Sequence, residues 1–135
     1  DDSGLCVDAL AGAPGLLSAR YGGPGLDDVG RYELLLRAML DVPESQRSAR
    51  FVCAAALAVP DGEVHTAYGE LPGAIAMSPS GAGGFGYDPV FFLPEMDCTL
   101  AELPEEVKNE ISHRAAALRA IAPRVRALAA GQAGI

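Results

Sequence analysis

Residues 81–92 read GAGGFGYDPVFF, and the choice of fold turns on how these glycines are used. Gly81, Gly83 and Gly86 satisfy G-x-G-x-x-G, the spacing of the dinucleotide-binding turn at the head of a doubly wound parallel sheet. That fold needs a helix to open directly after the motif. Here Asp88-Pro89 follows, and a residue before proline is biased away from helix. A protein-kinase glycine loop fails as well, because no V-A-I-K-like strand lies downstream. The bland reading is a flexible turn between strands. The functional one notes that Phe85, Tyr87 and Asp88 place two aromatics and a carboxylate on a backbone able to approach a ligand closely, a combination suited to base stacking with hydrogen bonding.

Working outward, VFF at 90–92 resumes a strand, and the Ser, Pro and Gly residues of 78–84 form a loop after a short strand at 74–77, AIAM. Upstream, RFVCAAALAV at 50–59, Pro60-Asp61-Gly62 and EVHTAYGEL at 63–71 predict a β-hairpin whose first strand is buried on both faces, with Pro72-Gly73 breaking the pattern. Residues 5–10, LCVDAL, predict a strand ended by AGAPG. Tyr32, Leu35, Leu36, Met39 and Leu40 follow helical spacing, with Asp27 and Asp28 as capping acids and Pro43 behind.

Downstream of Pro104, Val107, Ile111, Ala115 and Leu118 are again helically spaced. On one unbroken helix Lys108 and His113 would sit about 140° apart. Ser112 is the residue that can cap a new helix, predicted from His113 to Ala129, with Pro123 as a kink or restart. The break brings His113 and Arg114 into a first helical turn. Strand, helix, hairpin, strands and helices in that order predict an α/β or α+β domain around a mixed sheet.

The 135 residues are half hydrophobic and match one domain with one core. No apolar run approaches a membrane span of about 18 residues and no leader opens the chain, so it reads as soluble and cytoplasmic. A net charge of -8 repels a polyanionic backbone and argues against nucleic acid as partner. Cys6, Cys53 and Cys98 lack zinc-ligand spacing and read as buried free thiols.

Three clusters can carry chemistry. Asp1-Asp2-Ser3 can hold Mg²⁺ through hard oxygens and activate a water, or be a solvated turn. Phe85 to Asp88 is the second. Lys108 with Ser112-His113-Arg114 is the third, a basic group in an acidic chain suited to an anionic or carbonyl-rich ligand, or else a solvated helix face. His65 reads as structural or solvent-facing.

DDSGLCVDALAGAPGLLSARYGG, GGFGYDPVFF and EEVKNEISHRAAAL, in order along nearly the whole chain, resemble the inosine triphosphate pyrophosphatase family. The resemblance implies an elongated mixed sheet flanked by helices, with a nucleotide cleft between two lobes, and a homodimer. It also implies Mg²⁺-dependent cleavage of ITP, dITP and XTP to the monophosphate and pyrophosphate. Carried over by position, it makes Asp2 the metal ligand and general base, with Asp1 in support and Ser3 on the substrate. Phe85, Gly86, Tyr87 and Asp88 become the nucleobase segment, with Phe85 stacked on the purine. Lys108, His113 and Arg114 become the residues that tell a 6-keto from a 6-amino group. The family's Ser/Thr-x-Asn-x-x-Lys motif and a further acidic metal ligand, both N-terminal to DDSG, have no counterpart in these residues. The expectation is thus a single domain, 1–135, forming the C-terminal two-thirds of the family fold. The alternative is a nucleotide-binding or structural fragment without catalysis. A pyrophosphatase for modified pyrimidines or methylated bases, and a dinucleotide-binding oxidoreductase, are further readings.

Overall fold

A computed structural model of the chain describes residues 2–60 and 62–133, with the side chains of Asp2 and of 129–133 outside the description. The strands are β1 (Asp2–Val7), β2 (Pro14–Gly15), β3 (Ser48–Ala58), β4 (Val64–Ile75), β5 (Phe91–Leu93) and β6 (Cys98–Thr99). The helices are α1 (Asp28–Ala38), α2 (Glu105–Ile111) and α3 (His113–Ala133). The strands form one sheet in the order β2-β1-β3-β4-β5-β6, and every pairing is antiparallel. The mixed α/β class stands, but the mixed strand directions expected from the sequence do not hold among the described residues. A parallel pair needs a crossover connection, whereas here β1 returns through α1 to lie antiparallel to β3.

The predicted hairpin is the centre of the sheet, running in register from Ser48↔Ala74 to Ala58↔Val64. Two expectations about it change. β3 is buried on one face: Ala49, Phe51, Cys53 and Ala55 point inward, while Ser48, Arg50, Ala56 and Ala58 are exposed. The run looked doubly buried because small alanines, which expose little apolar area, occupy the outer positions. In addition, Pro72-Gly73 does not end β4, which continues to Ile75. Among the described residues β4 has no strand partner on its second side until Ala74, so a residue without an N–H costs at most one ladder bond there. The fourth strand expected at 74–77 is the end of β4.

Local chemistry accounts for the helices. Asp27 caps α1, its Oδ1 accepting the Gly30 N–H at 2.8 Å, and Leu35 of that helix and Met39 just past its end reach the core at 0% exposure. There they join Leu5 and Val7 of β1, Phe51 of β3, Ile75 of β4 and Phe91 of β5. At the far end of α1, the buried Arg47 donates to the carbonyls of Met39, Val42, Ile75 and Ala76. It thereby fixes the end of the helix to the end of β4. Ser112 caps α3 as its type predicts: its backbone is extended (φ -60°, ψ 155°) and its Oγ accepts the Ala115 N–H at 3.1 Å. α3 passes through Pro123 without ending and continues to Ala133, past the expected stop at Ala129.

A second apolar cluster, Cys53, Ala55, Ala117 and Ile121, seats α3 on β3 and β4. Gly69 is what allows that approach. A Cβ on it would lie 2.2 Å from the Ala117 nitrogen and 2.3 Å from the His113 carbonyl oxygen. No described helix is long and apolar enough to cross a membrane.

Candidate active site

The glycine segment at 81–87 folds as a loop, with a 3-10 turn at Asp88–Val90 and no helix opening at Gly86. This removes the dinucleotide-turn reading. The glycines are used differently from each other. A Cβ at Gly81 would meet the Ala101 carbonyl carbon at 2.6 Å, and one at Gly84 the Asp88 carboxylate at 2.2 Å. These two make room for the protein's own groups rather than for a ligand, which narrows the expected close approach of the backbone to a ligand to Gly86. Gly86, at φ +60°, has nothing within 4 Å of its missing Cβ and faces a cavity.

Space vacated at Gly84 is filled by Asp88, which is 5% exposed and accepts two hydrogen bonds. One comes from the Phe85 N–H at 3.1 Å. The other comes from the Lys108 ammonium at 2.5 Å, an ion pair buried on both sides. A buried charge is tolerated only when paired in this way. The same ammonium lies 4.3 Å from the centroid of the Phe85 ring, a cation–π distance. Phe85 itself is 67% exposed: its backbone is tied down while its ring stays open. Tyr87 is buried, its hydroxyl donating to the Ser18 carbonyl at 2.6 Å, and burial pushes its pKa up to about 12. It serves this wall by fixing the loop to the 3-10 helix Ser18–Arg20.

The helix break at Ser112 sets Lys108, His113 and Arg114 around the same space, as the spacing argument required. The His113 ring stacks on Phe51 with centroids 4.9 Å apart and planes 17° from parallel. Its Nδ1 is closed off from solvent and has no hydrogen-bond partner. Burial first, then the charge of Arg114 and more weakly of Lys108, lower its pKa against the opposing pull of Asp88, which favours the neutral imidazole.

These residues line one cavity of about 400 Å³, within the span of small-molecule pockets. Of the residues predicted from sequence, Ser3, Phe85, Gly86, Tyr87, Asp88, Lys108, His113 and Arg114 all border it. Ser3 lies in β1 opposite Cys53, and its Oγ is buried without a partner. Asp1 lies outside the described residues. Asp2 is described only as a backbone position, opposite Ala54 at the start of β1, one residue from Ser3. His65 sits 3.4 Å from Glu63 and away from the cavity. Cys53 is buried, whereas Cys6 and Cys98 are partly exposed rather than buried as expected.

Sequence reading missed Asp28, Arg31, Phe51 and Asn109, which also border the cavity. Asp27-Asp28 read as a pair of capping acids. In fact only Asp27 caps, while Asp28 Oδ2 accepts the Gly86 N–H at 3.0 Å. Arg31, one helical turn on, donates to the carbonyls of Leu26 and Gly23.

An antiparallel α/β domain with a cavity that combines an exposed aromatic, a buried lysine–aspartate pair and a stacked histidine has the form of a small-ligand binding domain. Comparison with known proteins narrows this. The model of the Ham1 family matches residues 1–124, and the chain belongs to that family. It is 51% identical over 128 residues to a protein of Streptomyces coelicolor named dITP/XTP pyrophosphatase, covering 95% of this chain and 64% of that one. A Listeria monocytogenes protein of the same name is 53% identical over 119 residues, covering 88% and 59%. The Staphylococcus aureus Ham1 protein superposes with a TM-score of 0.85 at 40% identity, over 97% of this chain and 65% of that one. The chain thus spans about three-fifths of the length of the curated relatives it matches.

Proposed function

We propose that the protein hydrolyses the non-standard purine nucleoside triphosphates ITP, dITP and XTP to the monophosphate and pyrophosphate, and that it works as a single domain in a cytoplasmic homodimer. The observation carrying this is the meeting, in one cavity, of the open Phe85 ring, the Lys108–Asp88 pair and the His113 ring stacked on Phe51. The names borne by its close relatives agree.

The pocket chemistry separates 6-keto from 6-amino purines. Phe85 offers a ring face for stacking. Lys108 and Arg114 are donors only, matched to O6 of hypoxanthine or xanthine and mismatched to the N6 amino group of adenine. A neutral imidazole keeps one acceptor nitrogen, and the N1–H of a 6-keto purine can donate to it, whereas adenine N1 carries no hydrogen. Guanine shares O6 and N1–H, so its rejection depends on its 2-amino group and on other contacts.

Asp2 is the proposed general base, drawing a proton from the water that attacks the α phosphorus, while Ser3 Oγ contacts the substrate. Among the described residues no group of three His, Cys, Asp or Glu gathers at a metal-sized point. Asp1 and Asp2 nevertheless fit Mg²⁺ in donor chemistry, because that ion is commonly held by one or two carboxylates completed by phosphates and waters. Bound there, it would lower the pKa of water and offset phosphate charge.

Pyrophosphate release from ITP and from ATP tests the proposal. ITP should be preferred by about 100-fold or more in kcat/KM, and equal rates would sink it. Asp2→Asn should abolish turnover without changing the melting temperature, whereas an active variant would mean the base is misassigned.

A further inference from the structure

We infer that Asp28, outside the residues that touch the base, is a positioning residue that holds the Phe85 loop in its base-accepting form. This rests on the cavity being the nucleobase pocket. Two successive amides of the loop are held by carboxylates from different elements. The Phe85 N–H goes to Asp88, and the Gly86 N–H goes to Asp28 Oδ2 at 3.0 Å, across 58 residues of sequence.

Packing does little to hold this part of the loop. Gly86 has open space where a side chain would be, and the Phe85 ring is 67% exposed. Hydrogen bonds therefore set the loop backbone at Phe85 and Gly86, with the Lys108 ammonium, 4.3 Å from the ring centroid, as the contact on the ring itself. Asp28 is a firm anchor for one of them. α1 is already capped by Asp27, and Arg31 ties the incoming chain through the Leu26 and Gly23 carbonyls, so the first helical turn cannot easily shift. Nor does the helix need the Asp28 carboxylate as a cap, which leaves its bond to Gly86 as its specific use.

The test uses calorimetric titration with inosine monophosphate, with inorganic pyrophosphate as the probe lacking a base, and amide hydrogen exchange at 85 and 86 in the free chain. Asp28→Ala should weaken inosine monophosphate binding about fivefold, in keeping with loss of one exposed charge-assisted hydrogen bond. Pyrophosphate affinity should stay within about twofold, since that probe makes no base contact. Asp28→Asn, which keeps an acceptor oxygen, should recover most of the loss. In a Phe85→Ala background, Asp28→Ala should change affinity by less than about twofold, because the ring it positions is gone. Exchange at 85 and 86 should rise about fivefold in Asp28→Ala.

Unchanged exchange, or an undiminished affinity for inosine monophosphate, would overturn the role. So would a stability loss shared equally by the Ala and Asn variants without any binding effect, which is what a mere helix-dipole contribution predicts. If the unmodified chain fails to bind inosine monophosphate, the nucleotide reading falls. The exchange data still decide whether Asp28 holds the loop.

Discussion

His113 concentrates the residue-scale physics of the site. Stacked on Phe51 and partly buried, the ring resists protonation, and Arg114 and Lys108 add to the resistance. Its folded pKa is thus below the ordinary value near 6.5, and the sign follows. As pH falls below about 6.5 the unfolded chain takes up this proton more readily than the folded one, so His113 makes stability decline on the acid side. Protonation also removes the acceptor proposed for the base N1–H. KM for ITP should therefore rise as pH falls from 7.5 to 5.5, and in His113→Gln the part of that rise due to the imidazole should vanish. Superimposable KM profiles for the two proteins would rule out the imidazole as the titrating group. That His113 and Lys108 belong to one site was legible in the sequence, since only a break at Ser112 could bring them together. That its surroundings favour the neutral imidazole was not, because its burial depends on Phe51, 62 positions away on β3.

At the scale of elements, the contact of α3 with β4 decides whether the cavity keeps its shape. Gly69 lies under the first turns of α3, where any Cβ would overlap helix backbone rather than a side chain able to move aside. Gly69→Ala should cost about 2–3 kcal/mol, seen as an earlier denaturation midpoint, and should weaken ITP binding by displacing His113 and Arg114. A variant with normal stability and affinity would show that α3 does not depend on this approach. Helix periodicity, caps and the hairpin turn were readable because each depends on residues within a few positions of one another. β2 and β6, two residues each, left no periodic trace. The continuation of β4 through Pro72-Gly73 depends on which side of the strand carries a partner, information that local sequence does not hold.

Across the whole molecule, the core and the site share a frame, and Arg47 closes it. It is 2% exposed, and its guanidinium serves four carbonyls from the end of α1 and the end of β4; burial lowers its pKa, with Glu44 opposing. Arg47→Met should destabilise the protein by about 3 kcal/mol, because the carbonyls lose their donors inside the fold. Unfolding by urea measures it, and a loss below about 0.5 kcal/mol would show that water replaces the side chain at little cost. By itself the sequence determined the helices, the hairpin and the break at Ser112, since short-range spacing and turn chemistry act before any long-range contact forms; the grouping of the cavity residues was an expectation from the family resemblance. Only the tertiary structure decided the all-antiparallel order of the described strands, the use of Gly84 to house a carboxylate, and the reach of Asp28 to Gly86. The first and last of these join segments far apart in the chain, and the Asp88 carboxylate beside Gly84 is held by Lys108, 20 residues on; such pairings are settled by packing and by the need of most buried polar groups for a partner.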